Sequence, residues 1–343
     1  MAAKRPTRSA RAEKQQSLES LSERTGAVSK TDRLRVRAAW MYYIEQMTQS
    51  DIADVLGIGR VSVVRLLAEA RQRNEVKIAI EADLAEIVDL ERQLEQTFSL
   101  DRAIVAPVAG GANHVSASIS AATAEYLSET VSSGMRIGVG WGRTLLGCLQ
   151  FMQGRQLDDL HVISLLGGII QARRFNPAEF AWQFAQVFRG DAYLIPAPAV
   201  VDSPQTREAL IERCGLKAIF ELASQLDMVV LSVGGLNAET TTTFQVGFLT
   251  EEELRSLKAS GAVGDILFHF IDRHGRQIDH PLNDLVMSVG LDVLRNTKLR
   301  VLTSGGADKF EAMPGAIAAI RPHVLITDEI TAVRLLKDAV PGR

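Results

Sequence analysis

The sequence predicts an α/β chain, a small helical head followed by a larger body built on a mostly parallel sheet. Three observations predict it. Residues 48–68, TQSDIADVLGIGRVSVVRLLA, have the spacing of two short helices joined at a glycine. From about residue 101, short apolar runs alternate with helical stretches, the rhythm of parallel strands covered on both faces. At 343 residues the chain is longer than one typical domain.

Residues 1–30 are polar, basic and without periodicity, so they are read as a disordered tail. Thr31 or Asp32 caps a helix running to about Met47, with Leu34, Ala38, Met41 and Ile44 at helical spacing. Thr48 and Asp51 then form an [ST]-x-x-[DE] capping box. Counting from Gln49, Ile52, Ala53, Leu56, Gly57, Ile58, Val63 and Leu66 fall in the helix-turn-helix register. Gly57 supplies the positive φ of the turn. The second helix of such a unit lies in the DNA major groove. Thr48, Gln49, Arg60, Val61, Ser62, Arg65 and Arg71 are the candidate DNA contacts, and Arg73 follows them. Serine and arginine there meet bases and phosphates, while arginine near the helix end also offsets its dipole. The head therefore spans 31–80. It includes an alternating segment at Val76, Ile78 and Ile80, read as a strand or extended connector.

Residues 81–100 read as a linker helix with Leu84, Ile87, Val88, Glu91 and Leu94 along one side. The body, 101–343, is expected to hold strands at 103–107, 135–140, 161–166, 192–196, 228–233, 265–271, 299–303 and 323–327. Its helices are expected near 115–132, 143–153, 177–188, 205–224, 251–260, 309–320 and 329–338.

Charge divides the same way. Residues 1–80 hold 15 Lys and Arg against 9 Asp and Glu, and the remainder holds 23 against 32. A basic front and an acidic rear fit a nucleic-acid-binding head on a body that stays off the DNA. No apolar run reaches the length of a bilayer span and no signal peptide opens the chain, so a cytoplasmic protein without membrane contact is expected. Cys148 and Cys214 stand far apart without a CxxC. They read as buried apolar residues in a reducing compartment.

Glycines follow four of the strands: GVGWGRTL after 135–140, Gly167 and Gly168 after 161–166, Gly234 and Gly235 after 228–233, and SGGADK after 299–303. Ligands of open α/β sheets sit at such carboxyl ends. Gly140-Trp141-Gly142-Arg143-Thr144 opens a helix whose N–H groups, with the Arg143 charge and the Thr144 hydroxyl, suit an anion. It is neither a Walker A loop nor a dinucleotide fingerprint, and tight-turn glycines are the commoner explanation. Lys309 sits at an expected helix start, where a cation is disfavoured. That mismatch favours a ligand, held as an ion pair or an imine. Asp265 either accepts sugar hydroxyls or caps a turn. His269, His274 and His280 lack a recurrent metal spacing, and RHGR reads as a hairpin turn, so neither metal nor cofactor is expected.

The helix-turn-helix, GVGWGRTL, SLLGG, DMVVLSVGGL, GAVGDILFHFID and SGGADKFEAMPGAIAAIRPHVLITDEITAVRLL, in this order, resemble the SorC family of bacterial transcription regulators. The resemblance runs from about residue 31 to the end. It implies a body related to sugar-phosphate isomerases and deaminases that binds a sugar or, more often, a phosphorylated sugar or polyol, and a homotetramer built from dimers on operator DNA. It implies that Trp141, Gly142, Arg143 and Thr144 hold the phosphate, assisted by Gly167 and Gly168, and that Asp265 and Lys309 meet the sugar. Ser304-Gly305-Gly306 stands where the family often has alanine-glycine-glycine. Arg321-Pro322-His323 stands where an asparagine often precedes LITDE. The competing reading is a sugar-phosphate isomerase or deaminase with an added head. Its acid and base candidates, Asp308 beside Lys309 or Asp272 with His274, make no clear pair on one element. A DNA-binding structural protein whose body only oligomerises is the third reading.

Overall fold

The computed structural model describes residues 29–76, 84–108, 114–169, 176–237 and 247–339. They fall into two compact units divided between residues 80 and 81. The tail expected over 1–30, as far as residue 28, and the alternating segment beyond Val76 lie outside the described residues.

Among the described residues the first unit holds three helices, Lys30–Tyr43, Gln49–Leu56 and Arg60–Gln72. The first is capped by Ser29, whose hydroxyl accepts the Asp32 N–H, and not by Thr31 or Asp32. It stops at Tyr43, short of Met47, because Gln46 takes a φ of 55° and Thr48 already caps the next helix. The capping box is present: Thr48 Oγ1 accepts the Asp51 N–H at 3.2 Å and Asp51 Oδ2 accepts the Thr48 N–H at 3.3 Å. Gly57 turns the chain at φ 63°. Ala38, Met41, Ile52, Ala53, Val63, Leu66, Leu67 and Ala70 close the core between the helices. Buried Arg35 donates to Glu75 at 2.7 Å and pairs with Asp32 at 2.7 Å, tying the first helix to the end of the third.

The second unit carries a seven-stranded, all-parallel sheet. Its strands are β1 Arg102–Ala106, β2 Arg136–Val139, β3 His161–Ser164, β4 Asp191–Tyr193, β5 Met228–Leu231, β9 Leu299–Thr303 and β10 Val324–Asp328, in the order β1-β10-β9-β5-β2-β3-β4. A second sheet of three antiparallel strands joins β6 Gly234–Gly235, β7 Gly264–Ile266 and β8 His269–Ile271. Apolar side chains pack on both faces of the large sheet, as a parallel sheet requires.

The segment expected as a linker contributes the helix Leu84–Phe98, which lies on edge strand β1. Glu95 Oε1 accepts the Ala103 N–H at 3.0 Å and Glu91 Oε1 accepts the Val105 N–H at 2.9 Å. These donors of an edge strand would otherwise stay unpaired. Burial pushes the Glu91 carboxyl above the usual range, and the Val105 bond opposes it.

Several expected elements differ. The strand expected over 265–271 is a hairpin, because Leu267 and Phe268 both take positive φ, 52° and 66°. The helix expected over 205–224 is two, Pro204–Arg213 and Lys217–Ala223, parted at Gly215. The helix expected from 309 begins at Met313, where Pro314 occupies a first-turn position that needs no N–H donor. Ala307–Lys309 is a separate 3₁₀ turn. The helix expected over 143–153 ends at Cys148, and β4 ends at Tyr193, before Pro196. Cys148 is buried, its thiol pushed up to about 12 by desolvation, but Cys214 is exposed.

Candidate functional site

The four glycine-marked strands are four consecutive neighbours, β9-β5-β2-β3. Because all are parallel, their carboxyl ends open on one edge of the sheet, where ligands of such folds bind. The small sheet grows from that edge, since β6 follows β5 after only Ser232 and Val233.

At the end of β2, Trp141 is 8 % exposed and stacks on Phe268, with ring centroids 5.3 Å apart and planes inclined at 20°. Gly142 has φ 129°, a backbone closed to L side chains, and opens the helix Arg143–Cys148. Among the described residues no side chain caps that helix. Arg143 is exposed, while Thr144 is half-buried with its carbonyl accepting from Ser120 Oγ at 2.8 Å.

At the end of β9, Arg143 approaches Asp308 at 3.7 Å and Lys309 approaches it at 3.5 Å. Asp308 Oδ2 is buried, and among the described residues no hydrogen-bond partner reaches it. The Lys309 side chain is 13 % exposed and therefore does not face open solvent. The turn that presents it is anchored from β10. The Gly306 N–H donates to Asp328 Oδ2 at 2.9 Å and to Thr331 Oγ1 at 3.0 Å, and Asp328 also accepts from the N–H and hydroxyl of Thr331. This gives the aspartate of the LITDE run a physical task.

Asp265 lies within β7 at 2 % exposure. Its Oδ2 accepts the Phe268 N–H at 3.0 Å and so caps the hairpin turn, while its Oδ1 is buried with no hydrogen-bond partner among the described residues. Desolvation pushes this carboxyl up to about 6, and the Phe268 bond and the charge of Lys309 draw it back. A buried lone pair without a donor is costly, and a ligand hydroxyl would supply that donor.

The backbone donors of Gly167 and Gly168 are engaged within the fold. The Gly167 N–H donates to Met287 O and the Gly168 N–H to Ala197 O, both at 2.8 Å. Those donors serve the fold, and Gly167 lets the Ala197 and Pro198 backbone approach. His269 Nε2 lies 2.9 Å from Ser288 Oγ and 3.1 Å from Val289 O, and burial holds the imidazole down at about 4. His280 Nδ1 accepts the Leu282 N–H, and the chain turns beside His274 at Asp272. Among the described residues no group of three or more His, Cys, Asp and Glu is placed to hold a metal ion. No helix among them is long and apolar enough to cross a membrane.

Phe268, Asp328 and Thr331 hold these residues in place, and sequence spacing did not single out that part. Asp328 had a signal in LITDE, but the turn it anchors is 22 residues away.

In the head, Thr48, Gln49 and Arg60 line one open cleft with Tyr42. Arg60, Val61 and Arg65 are exposed on the helix Arg60–Gln72, Ser62 is half-buried, and Arg71 is exposed in its last turn. The Thr48 hydroxyl is engaged with Asp51, donating to Oδ2 at 2.7 Å.

The sequence model of the Sugar-bind family of sugar-binding domains matches residues 82–337. The chain is 32 % identical over 310 residues to the deoxyribonucleoside regulator of Bacillus subtilis (strain 168), covering 89 % of this chain and 97 % of that protein. It is 29 % identical over 307 residues to the erythritol catabolism regulatory protein EryD of Brucella abortus (strain 2308), covering 89 % and 96 %. Its fold is similar to the crystal structure of the full-length sorbitol operon regulator SorC from Klebsiella pneumoniae, with a TM-score of 0.67 and 27 % identity, covering 89 % of this chain and 98 % of that one.

Proposed function

The chain belongs to the SorC family of sugar-responsive transcriptional regulators, and from that premise we propose that it controls a carbohydrate-utilisation operon through a sugar or polyol, phosphorylated in our reading, bound at the strand-end crevice of the body. The observation that carries this is the buried Asp265 Oδ1, without a hydrogen-bond partner among the described residues, together with the charge of Lys309 close enough to act on that carboxyl. A carboxylate that lacks a donor takes a hydroxyl. Arg143, with the uncapped helix start behind Gly142, takes the anionic end.

Residues 31–80 form the operator-binding head and 101–343 the effector-binding and oligomerisation domain. Gln49, Arg60, Val61, Ser62, Arg65 and Arg71 face DNA, with Thr48 shaping the helix that carries Gln49. Trp141, Gly142, Arg143, Thr144, Asp265 and Lys309 contact or frame the effector, and Gly167 and Gly168 form its wall. The protein acts in the cytoplasm as a dimer of dimers. The effector works by binding one arrangement of the assembly more tightly than another, since only differential affinity shifts such an equilibrium. The body is a receptor and turns nothing over: its relatives are named as regulators, Asp272 is committed to the turn beside His274, and Asp308 and Lys309 to an ion pair.

The test is fluorescence anisotropy of the full chain on DNA from upstream of its own operon, titrated with sugars and their phosphates. Salt-sensitive binding that one compound changes is the expected result. Salt-sensitive binding that no compound changes removes the crevice. Turnover of ribose 5-phosphate or glucosamine 6-phosphate restores the enzyme reading.

A further inference from the structure

The helix Arg60–Gln72 buries Val63, Leu66, Leu67 and Ala70. Its outward side would be expected to be polar, yet it carries Val61 at 83 % exposure and Val64 at 46 %. Spaced three apart, the two valines are neighbours on the helix surface, and Arg65 lies four residues from Val61 on the same side. Neither valine belongs to the head's core, so folding gives no reason for a β-branched apolar residue in the first turn of this helix, where helix propensity is against it.

We infer that Val61 and Val64 form a methyl-reading surface that packs on the C5-methyl groups of thymines in the operator's major groove, with Arg65 fixing the register beside them. The inference rests on the DNA-binding reading of the head and deepens it by naming what the helix reads. The occupant follows from the neighbours. Val61 is flanked by the exposed cations Arg60 and Arg65, which suit a polyanion. Apolar contact with the thymine methyl is one of the few sequence-specific contacts an aliphatic side chain can make in the groove. A second copy of the same face would set these arginines against one another.

The experiment selects bound duplexes from a random library with the full chain, then measures affinity for the selected duplex made with thymine and with deoxyuridine. The exchange removes every C5-methyl and keeps the pairing. Wild type is expected to bind the uracil duplex about fourfold more weakly per methyl contacted, the transfer value of one buried methylene. Val61→Ala and Val64→Ala are each expected to weaken binding to the thymine duplex and to shrink the thymine–uracil difference. Both sites are exposed, so the variants keep the fold, and circular dichroism checks it. Equal, salt-sensitive affinity of wild type for both duplexes overturns the methyl reading and leaves the head a DNA binder. Failure to select any duplex, with the protein folded, overturns both. A Val61→Ala variant with a changed oligomeric state and an unchanged thymine–uracil difference assigns the valines to a protein interface and overturns the inference.

Discussion

Trp141 and Phe268 stack at 5.3 Å between ring centroids, and this contact joins the end of β2 to the turn of the β7–β8 hairpin. The turn has no glycine: Leu267 and Phe268 hold φ of 52° and 66°. Bulky residues seldom adopt that region, and each costs about 1–2 kcal/mol there. The strain persists because the surroundings fix it. Asp265 accepts the Phe268 N–H, the Phe268 ring lies between Trp141 and Phe248, and both turn residues are buried. Phe268→Ala should therefore destabilise the body by about 3 kcal/mol, the usual cost of emptying such a site. It should also weaken effector binding, since Asp265 and Trp141 lose their common support. Thermal unfolding with and without ligand, and the near-ultraviolet dichroism of Trp141, measure the two effects. Wild-type ligand affinity in this variant would show that the hairpin turn does not shape the crevice.

Asp265 imposes a pH dependence of unusual sign. Its folded carboxyl titrates at about 6 against an ordinary value of 3.8, so the folded state binds the proton more tightly. The site costs nothing below the ordinary value. Stability falls as pH rises from about 4 to 6, and the penalty then levels off at about 3 kcal/mol. His269 acts oppositely in the same window. Its imidazole is held at about 4 against 6.5, so stability falls as pH drops from about 6.5 towards 4. In the wild type the two partly cancel. Asp265→Asn should raise the ligand-free Tm at pH 8, expose the acid-side loss caused by His269, and lower effector affinity. Scanning fluorimetry of this variant and of His269→Gln across pH 4–8 separates the two groups' effects. A Tm at pH 8 unchanged by Asp265→Asn would refute the buried charge.

The central strands were legible because parallel strands buried on both faces are continuous apolar runs, as in MVVLSV and HVLIT. The head was legible because capping box, glycine turn and helical spacing all point the same way. The hairpin at 265–271 was not, because its turn residues are Leu and Phe, which carry no turn signal. Strand β6 consists of two glycines and has no side chain to reveal its pairing. The adjacency of the four glycine-marked strand ends followed from their place in one parallel sheet. Which N–H groups stay free depended on long-range partners such as Met287 and Ala197, which local sequence does not encode.

Lys309 is held beside Asp308 by a turn that Asp328 and Thr331 anchor. Lys309→Ala should leave operator binding unchanged and weaken the effector by about 10- to 100-fold, the range of a lost charge-assisted hydrogen bond. Asp328→Asn should weaken it less, through the turn. Anisotropy of the protein–DNA complex titrated with effector reads both. A normal response in Lys309→Ala would remove this lysine from the crevice.

Thr48 and Arg65 separate folding of the head from contact with DNA. The Thr48 hydroxyl both donates to the Asp51 carboxylate and accepts the Asp51 N–H, so its part is to cap the helix Gln49–Leu56. Thr48→Ala should destabilise the head by about 1 kcal/mol, and Thr48→Ser should restore it. Once the protein is folded, the dependence of operator affinity on salt should match wild type, because no phosphate contact is lost. Arg65 is exposed on the helix Arg60–Gln72. Arg65→Ala should leave stability unchanged, weaken operator binding by about 1–3 kcal/mol if it reads a base, and lower the salt slope by about 1 if it meets a phosphate. Affinity at four salt concentrations together with thermal melts of the three variants distinguishes these outcomes. A steep salt slope retained at wild-type affinity in Arg65→Ala would mean that this helix is not the one presented to DNA.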